Sequence, residues 1–283
     1  MLILDDHIHP WVKEARYTPD LATAMSQFLR PEPARRHADA AQSRSIDDLL
    51  RDMDKAGIER GIIVGMDLSG SLGVVMPTND SVAELVARYP GRLIGFSSVD
   101  PTNGDAAVAE LERAIRQLGL KGLKLVPPVQ KFSPADEKFN PLWEKVVELD
   151  IPVWIHTGHQ LSTEGSEAKY GHPSLIDTLA GRFPEMKIIM GHLSFPWFWE
   201  AWSICCRRKN VYVDTSGYGC LFNHFPWDAF TKFGIEHKIL FGTDYPLLTF
   251  DEAVRDVQNL PIEEQFKAKI LYQNAAALLG IEV

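Results

Sequence analysis

Short apolar runs rich in β-branched residues recur along the chain, spaced so that one helix fits between each and the next. Eight can be marked: LILDDHIH (2–9), RGIIVG (60–65), RLIGFSSVD (92–100), LKGLKLV (120–126), PVWIHTG (152–158), KIIMGHLS (187–194), VYVDTSG (211–217) and KILFGTDYP (238–246). Runs of this length, bounded by turn-forming residues, read as strands buried on both faces. Between them the apolar period lengthens to that of a helix. In SIDDLLRDMDKAG (45–57), Ile46, Leu49, Leu50 and Met53 fall on one face and Gly57 is a stop signal. The segments 79–91, 105–119 and 139–150 repeat the pattern, and PIEEQFKAKILYQNAAALLG (261–280) ends it. Strand–helix alternation predicts an α/β fold with a parallel sheet. Eight units predict a (β/α)8 TIM barrel, with an open doubly wound sheet as the alternative.

The pattern breaks at two places. Residues 10–44 are far longer than an ordinary strand-to-helix loop and predict a cap inserted after strand one, with a short helix at 19–30. Residues 127–140 form a second insertion, after strand four. The expectation is one distorted barrel domain over residues 1–283 with its cap at 10–44.

Composition narrows the partners. The chain is 45% apolar and 24% charged, as in a globular protein, and its net charge of −9 gives no broad attraction to nucleic acid or anionic lipid. No stretch has the length and apolarity of a membrane span or cleavable leader, and a strand beginning at Leu2 leaves no room ahead of it for one. Three cysteines, Cys205, Cys206 and Cys220, are an odd and sparse set. The expected setting is the reducing cytoplasm, with a small molecule as substrate.

In such a barrel the chemistry sits at the C-terminal ends of the strands. His7 and His9 stand there on strand one, and strand alternation points both rings to the same side. By themselves they could be half of a metal site or two hydrogen-bonded rings at a strand end. The remaining ends carry Lys124, His156, His192, Asp214 and Asp244. Any one could be a satisfied core residue or a cap, but the set at one barrel mouth points to a metal or catalytic centre.

DDHIHP, GLKLVPP, VWIHTG, MGHLS, FGTDYP and the final NAAALLG, in that order, resemble the amidohydrolase superfamily, in the branch that includes aminocarboxymuconate-semialdehyde decarboxylase. The resemblance spans nearly the whole chain. It implies a metal-dependent (β/α)8 barrel with one divalent cation, usually zinc and in some members manganese. Carried over by position, His7, His9, His156 and Asp244 would be metal ligands. His192 would stand beside the metal-bound water, and Asp244 would exchange a proton with it. Lys124 is either an ammonium that binds a substrate carboxylate, a lysine tied to barrel carboxylates, or, as in some relatives, a carbamate bridging two metals.

His159 and His172 are loop candidates for substrate contact, and Arg35 and Arg36 in the cap are candidate carboxylate clamps. His37, His224 and His237 belong to no usable motif. Trp199, Trp202 and Cys206 share a helical spacing that reads first as core packing. The sharper reading is a self-association surface, since relatives are often homodimers.

The branch supports both hydrolysis and decarboxylation, so reaction type rests on detail. Many of its decarboxylases follow the strand-five histidine with proline, where this chain has HTG, and several carry extra segments that this chain lacks. Both departures favour a hydrolase that attacks a small, carboxylated, cyclic or unsaturated lactone or amide through metal-bound hydroxide. Non-oxidative decarboxylation is the alternative, and a non-catalytic metal-binding barrel is the third reading.

Overall fold

The computed structural model describes residues 2–28, 43–161, 163–217 and 219–281. Eight parallel strands form one sheet in the order β1 (Leu4–Ile8), β2 (Arg60–Val64), β5 (Leu93–Ser98), β6 (Leu123–Leu125), β7 (Val153–Ile155), β8 (Ile188–Met190), β9 (Val211–Asp214) and β10 (Ile239–Leu240). The sheet closes on itself. Asp6 N–H donates to the Phe241 carbonyl at 2.8 Å, Asp244 N–H to the His7 carbonyl at 2.9 Å, and His9 N–H to the Tyr245 carbonyl at 2.8 Å. Those bonds remove the doubly wound alternative, whose outer strands stay apart. The strands are shorter than the apolar runs that mark them, most of them at the C-terminal end and β6 mainly at its start.

Alternation sorts the side chains into two cores. Ile62, Val64, Phe96, Trp154, Ile189 and Leu240 fill the lumen, whereas Ile63, Leu123, Leu125, Val153, Ile155, Ile188 and Val213 face the helices. The helix Ile46–Ala56 shows why the flanking segments are helical. Ser45 and Asp48 form a reciprocal capping box at its start, Gly57 ends it at φ 74°, and Ile46, Leu49, Leu50 and Met53 are buried as the periodicity predicts.

β1 departs from strict alternation. Leu4 pairs with Arg60 and Asp5 with Gly61, but Ile8 pairs with Ile63, so β1 spends one more residue than β2 over the same interval. A bulge of this kind re-aims side chains. Leu4 packs in the lumen and Ile8 packs outside it, while Asp6 and His7, consecutive residues, both serve the lumen.

Three features lay outside the expected pattern, and a fourth, the cap helix, falls within the short helix expected at 19–30. A hairpin, β3 (Asp67–Leu68) and β4 (Val74–Val75), follows β2. The cap helix spans Leu21–Phe28 and packs Ala24 and Met25 with Trp11, Met66, Leu68 and Met76 into a separate apolar cluster. The final helical stretch is broken into Glu264–Ala268, a π turn at Lys269–Gln273, and Asn274–Leu279. The helix Phe198–Arg207 buries Phe198, Ala201, Ile204 and Cys205; Trp202 packs half-buried against that core, whereas Trp199 and Cys206 are exposed, so the core reading holds for Trp202 alone of the three. Trp199 is 60% exposed and Phe233, in edge contact with Trp202, is 62% exposed. No helix among the described residues is long and apolar enough to cross a membrane.

Gly191, just beyond β8, lies against the Trp154 indole with no room for a Cβ. Gly191→Ala is predicted to cost about 1–3 kcal/mol through overpacking. Urea denaturation measures it, and wild-type stability would mean that the indole can move aside.

Candidate metal centre

The floor of the lumen is apolar, but its C-terminal end is lined by Asp6, His7, Lys124, Trp154 and Asp214, with His9, His156, His192 and Asp244 just beyond their strands. All the imidazoles there are buried, and the Asp244 side chain keeps 14% of its surface in contact with solvent. His9 Nε2 lies 3.1 Å from Asp244 Oδ1 and His7 Nε2 lies 3.6 Å from the same oxygen. One donor atom from each of these three residues falls within 4.8 Å of the others. His156 stands on the adjacent wall, its ring centroid 4.4 Å from that of His192. Its Nε2 is buried without a hydrogen-bond partner.

Hydrogen bonds settle the tautomers. Lys124 Nζ lies 2.6 Å from His7 Nε2; in its ammonium form it can only donate, and Nε2 then accepts while Nδ1 carries the proton. His7 Nδ1–H then donates to Ser216 Oγ at 3.2 Å. His192 Nδ1 lies 3.1 Å from the Ser216 carbonyl and 2.8 Å from its hydroxyl; the carbonyl only accepts, so this nitrogen also carries a proton. Ser216 thus leaves the Nε2 lone pairs of both rings on the side away from it. Neutral imidazole nitrogens with a carboxylate oxygen are the donor set of a zinc or manganese site, and the orphaned Nε2 of His156 fits that use.

The site's charge state follows from burial. Burial holds His7 and His156 well below the usual imidazole range and lowers His9 as well, so all three are neutral at neutral pH, the form that binds metal. For Asp244, burial pulls upward, but the His9 hydrogen bond and the charges of His192, His9 and Lys124 together outweigh it and keep the carboxylate ionised. Asp6 faces Asp214 across the backbone of Gly242. Burial first, then the Asp214 and Asp5 carboxylates, push its pKa well above the usual range. Burial also lowers Lys124 to about 7, against the pull of Asp244, Asp214 and Asp6.

The turns that carry His192 and Asp244 are strained. His192, Leu193 and Ser194 have φ of 60°, 50° and 59°, and Asp244 has φ 60°. Left-handed non-glycine residues cost roughly 1–3 kcal/mol each and persist where surrounding contacts over-determine them. Here Asp214 Oδ1 accepts the His192 N–H at 2.6 Å while its Oδ2 accepts the Trp154 indole N–H at 2.9 Å. The Thr157 hydroxyl donates to the Gly191 carbonyl at 2.9 Å and lies 2.7 Å from Ser194 Oγ. Gly158, at φ 85°, presses its Cα against the Phe195 backbone.

Lys124 reaches the cluster, and the two loop histidines pack on a tryptophan instead. Lys124 lies in the lumen, 2% exposed, its ammonium 3.4 Å above the Trp154 ring and against His7. His159 and His172 both pack their rings against one residue, Trp197, at centroid distances of 5.0 and 4.6 Å. His172 also accepts the Ser174 N–H at the start of the helix Pro173–Arg182. Arg35, Arg36 and His37 lie outside the described residues. Ser216 was missed, although it stands two residues after Asp214 and so shares its face. A cavity of about 760 Å³ opens at the other end of the barrel, among Arg60, Lys121, Lys187 and the last helix, far from these ligand candidates.

The amidohydrolase family model matches residues 4–281, and the chain belongs to that family. It is an enzyme of a (β/α)8 barrel type. It is 26% identical to a γ-resorcylate decarboxylase of Polaromonas sp. strain JS666, over 83% of this chain and 87% of that protein. With the 2-amino-3-carboxymuconate-6-semialdehyde decarboxylase of Dictyostelium discoideum it shares 30% identity, over 75% of this chain and 68% of that one. Among solved structures, a TIM-barrel protein from Bordetella bronchiseptica superposes with TM-score 0.76 at 27% identity, covering 99% of both chains. A dihydroxybenzoic acid decarboxylase from Polaromonas, crystallised with manganese and 2-nitroresorcinol, gives TM-score 0.71 at 22% identity and covers 99% of this chain and 96% of that one. These relatives overturn the expectation of a hydrolase. In the Thr-Gly after His156, read as a mark of hydrolysis, the Thr157 hydroxyl bonds to the turn that carries His192.

Because Lys124 titrates near 7 when folded and near 10.5 when unfolded, the folded state binds fewer protons between those values. Stability of the metal-free protein should therefore rise with pH across that window relative to Lys124→Met, which has no such group. Urea midpoints from pH 7 to 10 measure the difference, and parallel pH profiles would show that Lys124 is not desolvated.

Proposed function

We propose that this enzyme is a metal-dependent carboxy-lyase that removes CO₂ without oxidation from a small aromatic or unsaturated carboxylic acid. The observation that carries the reading is the imidazole and carboxylate cluster at the closing seam of a barrel whose relatives are named as decarboxylases. His7, His9, His156 and Asp244 would hold one divalent cation, manganese or zinc. When bound, that ion would supply the positive charge that fixes the substrate carboxylate and stabilises negative charge developing on the substrate.

The protein's residues account for the rest. The bond to the carboxylate carbon breaks with its electron pair left on the substrate carbon, so that carbon must receive a proton as CO₂ departs. His192 is oriented for this by Ser216, which engages Nδ1, so Nε2 must first take up a proton, giving the imidazolium, and then deliver it to the carbon and return to the neutral ring. Asp244 has the solvent contact through which that proton is replaced. Burial of the surrounding groups excludes bulk water and strengthens the electrostatic contacts inside.

Incubation with a panel of hydroxybenzoates in D₂O should release CO₂ and leave one deuterium on the carbon that lost it; turnover of lactones with no CO₂ from any acid would refute the proposal. Asp244→Asn should lose turnover while three imidazoles retain much of the metal, whereas His7→Ala should lower metal content itself, as read by elemental analysis. His192→Asn should keep its metal and lose about 10²–10⁴-fold in rate. A His192→Asn enzyme with wild-type rate would move the proton-delivering role elsewhere.

A further inference from the structure

His9 differs from the other imidazoles in how it is held. A metal-binding histidine ordinarily donates its second ring N–H to a carboxylate, carbonyl or water, which fixes both tautomer and ring plane. His7 and His192 have that support, each placing Nδ1 on Ser216. His9 Nδ1 is buried and has no hydrogen-bond partner. If Nε2, the nitrogen facing Asp244, is the ligand atom, the proton must reside on this unsupported Nδ1. Something other than a hydrogen bond has to set the ring's orientation.

The neighbouring indole is placed to do so. Trp11 stacks on His9 with centroids 5.0 Å apart and planes inclined by 22°. The backbone fixes both ends of the stack, since His9 N–H donates to the Tyr245 carbonyl and Trp11 N–H donates to the His9 carbonyl, each at 2.8 Å. The indole is 8% exposed, and its outer part belongs to the apolar cluster formed with Ala24 and Met25 of the cap helix and with Met66, Leu68 and Met76 around the β3–β4 hairpin. An apolar surface therefore runs from the cap to a face of His9.

We infer that Trp11 is a positioning residue for the metal centre: its stacked indole, seated on the cap, holds the His9 ring in the plane that directs Nε2 toward Asp244. The inference rests on the reading of His9 as a metal ligand.

The test uses the full chain loaded with Mn²⁺, and with Co²⁺ as a visible reporter of ligand geometry. Trp11→Leu should weaken Mn²⁺ binding about 10–100-fold, the range seen when support of a metal-binding histidine is removed. It should also change the Co²⁺ absorption bands. Trp11→Phe, which keeps a stacking face, should restore affinity to within a few fold and recover the wild-type bands. Met25→Ala loosens the same apolar cluster without touching His9 and should leave both readouts near wild type. Unchanged Mn²⁺ affinity and Co²⁺ bands in folded Trp11→Leu would overturn the inference, as would equal losses in Met25→Ala and Trp11→Leu. Failure of the wild-type chain to bind either ion would instead sink the metal-site reading on which the inference stands.

Discussion

The closure of the barrel is the constraint on which the site depends. A parallel sheet of eight strands has no free edge only if its first strand pairs with its last, and here residues near both ends of the chain must meet. The Asp5 carboxylate fastens the seam: it accepts the His7 N–H at 3.0 Å, the Thr243 N–H at 3.1 Å and the Thr243 hydroxyl at 2.6 Å. Burial nevertheless raises its carboxyl to about 7, so the seam is bought with a desolvated acid. Because the Asp244 N–H then bonds to the His7 carbonyl, joining the sheet also sets the Asp244 carboxylate beside His7 and His9. Fold and ligand geometry are one event.

The same lumen serves two purposes along its axis. Toward the strand starts it is packed by Ile62, Phe96, Ile189 and Leu240, and it contributes stability in the ordinary way. Toward the strand ends the packing gives way to groups that are costly to bury, and each is answered by a neighbour. Trp154 marks the boundary. Its ring lies under Lys124 and beside His7, and its N–H reaches Asp214, whose other oxygen pins the His192 turn. Changes at that indole should therefore reach both the core and the site.

Much of this was legible in the residues. Apolar runs and helical periodicity yield the barrel and the order of its strands, since parallel strands must be apolar on both faces and the helices need one apolar stripe. The clustering of His7, His9 and Asp244 follows from their places at strand ends. The bulge in β1 does not follow, because no glycine or proline marks it; it shows only in the register against β2. Ser216 was hidden by its ordinary chemistry, and the β3–β4 hairpin by strands only two residues long. On the helix Phe198–Arg207 the spacing of Trp199, Trp202 and Cys206 left core packing and self-association both open; the buried face is made by Phe198, Ala201, Ile204 and Cys205, with Trp202 half-buried against the core. Reaction type was misread at His156-Thr157-Gly158. Thr157 bonds to the Gly191–Ser194 turn and Gly158 lies where a Cβ would meet Phe195, tertiary partners that cannot be read from their own spacing.

The central claim is that barrel closure assembles a single divalent-metal centre from the two ends of the chain. Anomalous diffraction at the manganese edge, from crystals of the full chain grown with Mn²⁺, tests it most directly. The account predicts one ion per chain in direct contact with His7 Nε2, His9 Nε2 and an Asp244 oxygen, with His156 Nε2 turned toward it. No ion at the seam, or one held elsewhere with His7 still bonded to Lys124, would contradict it.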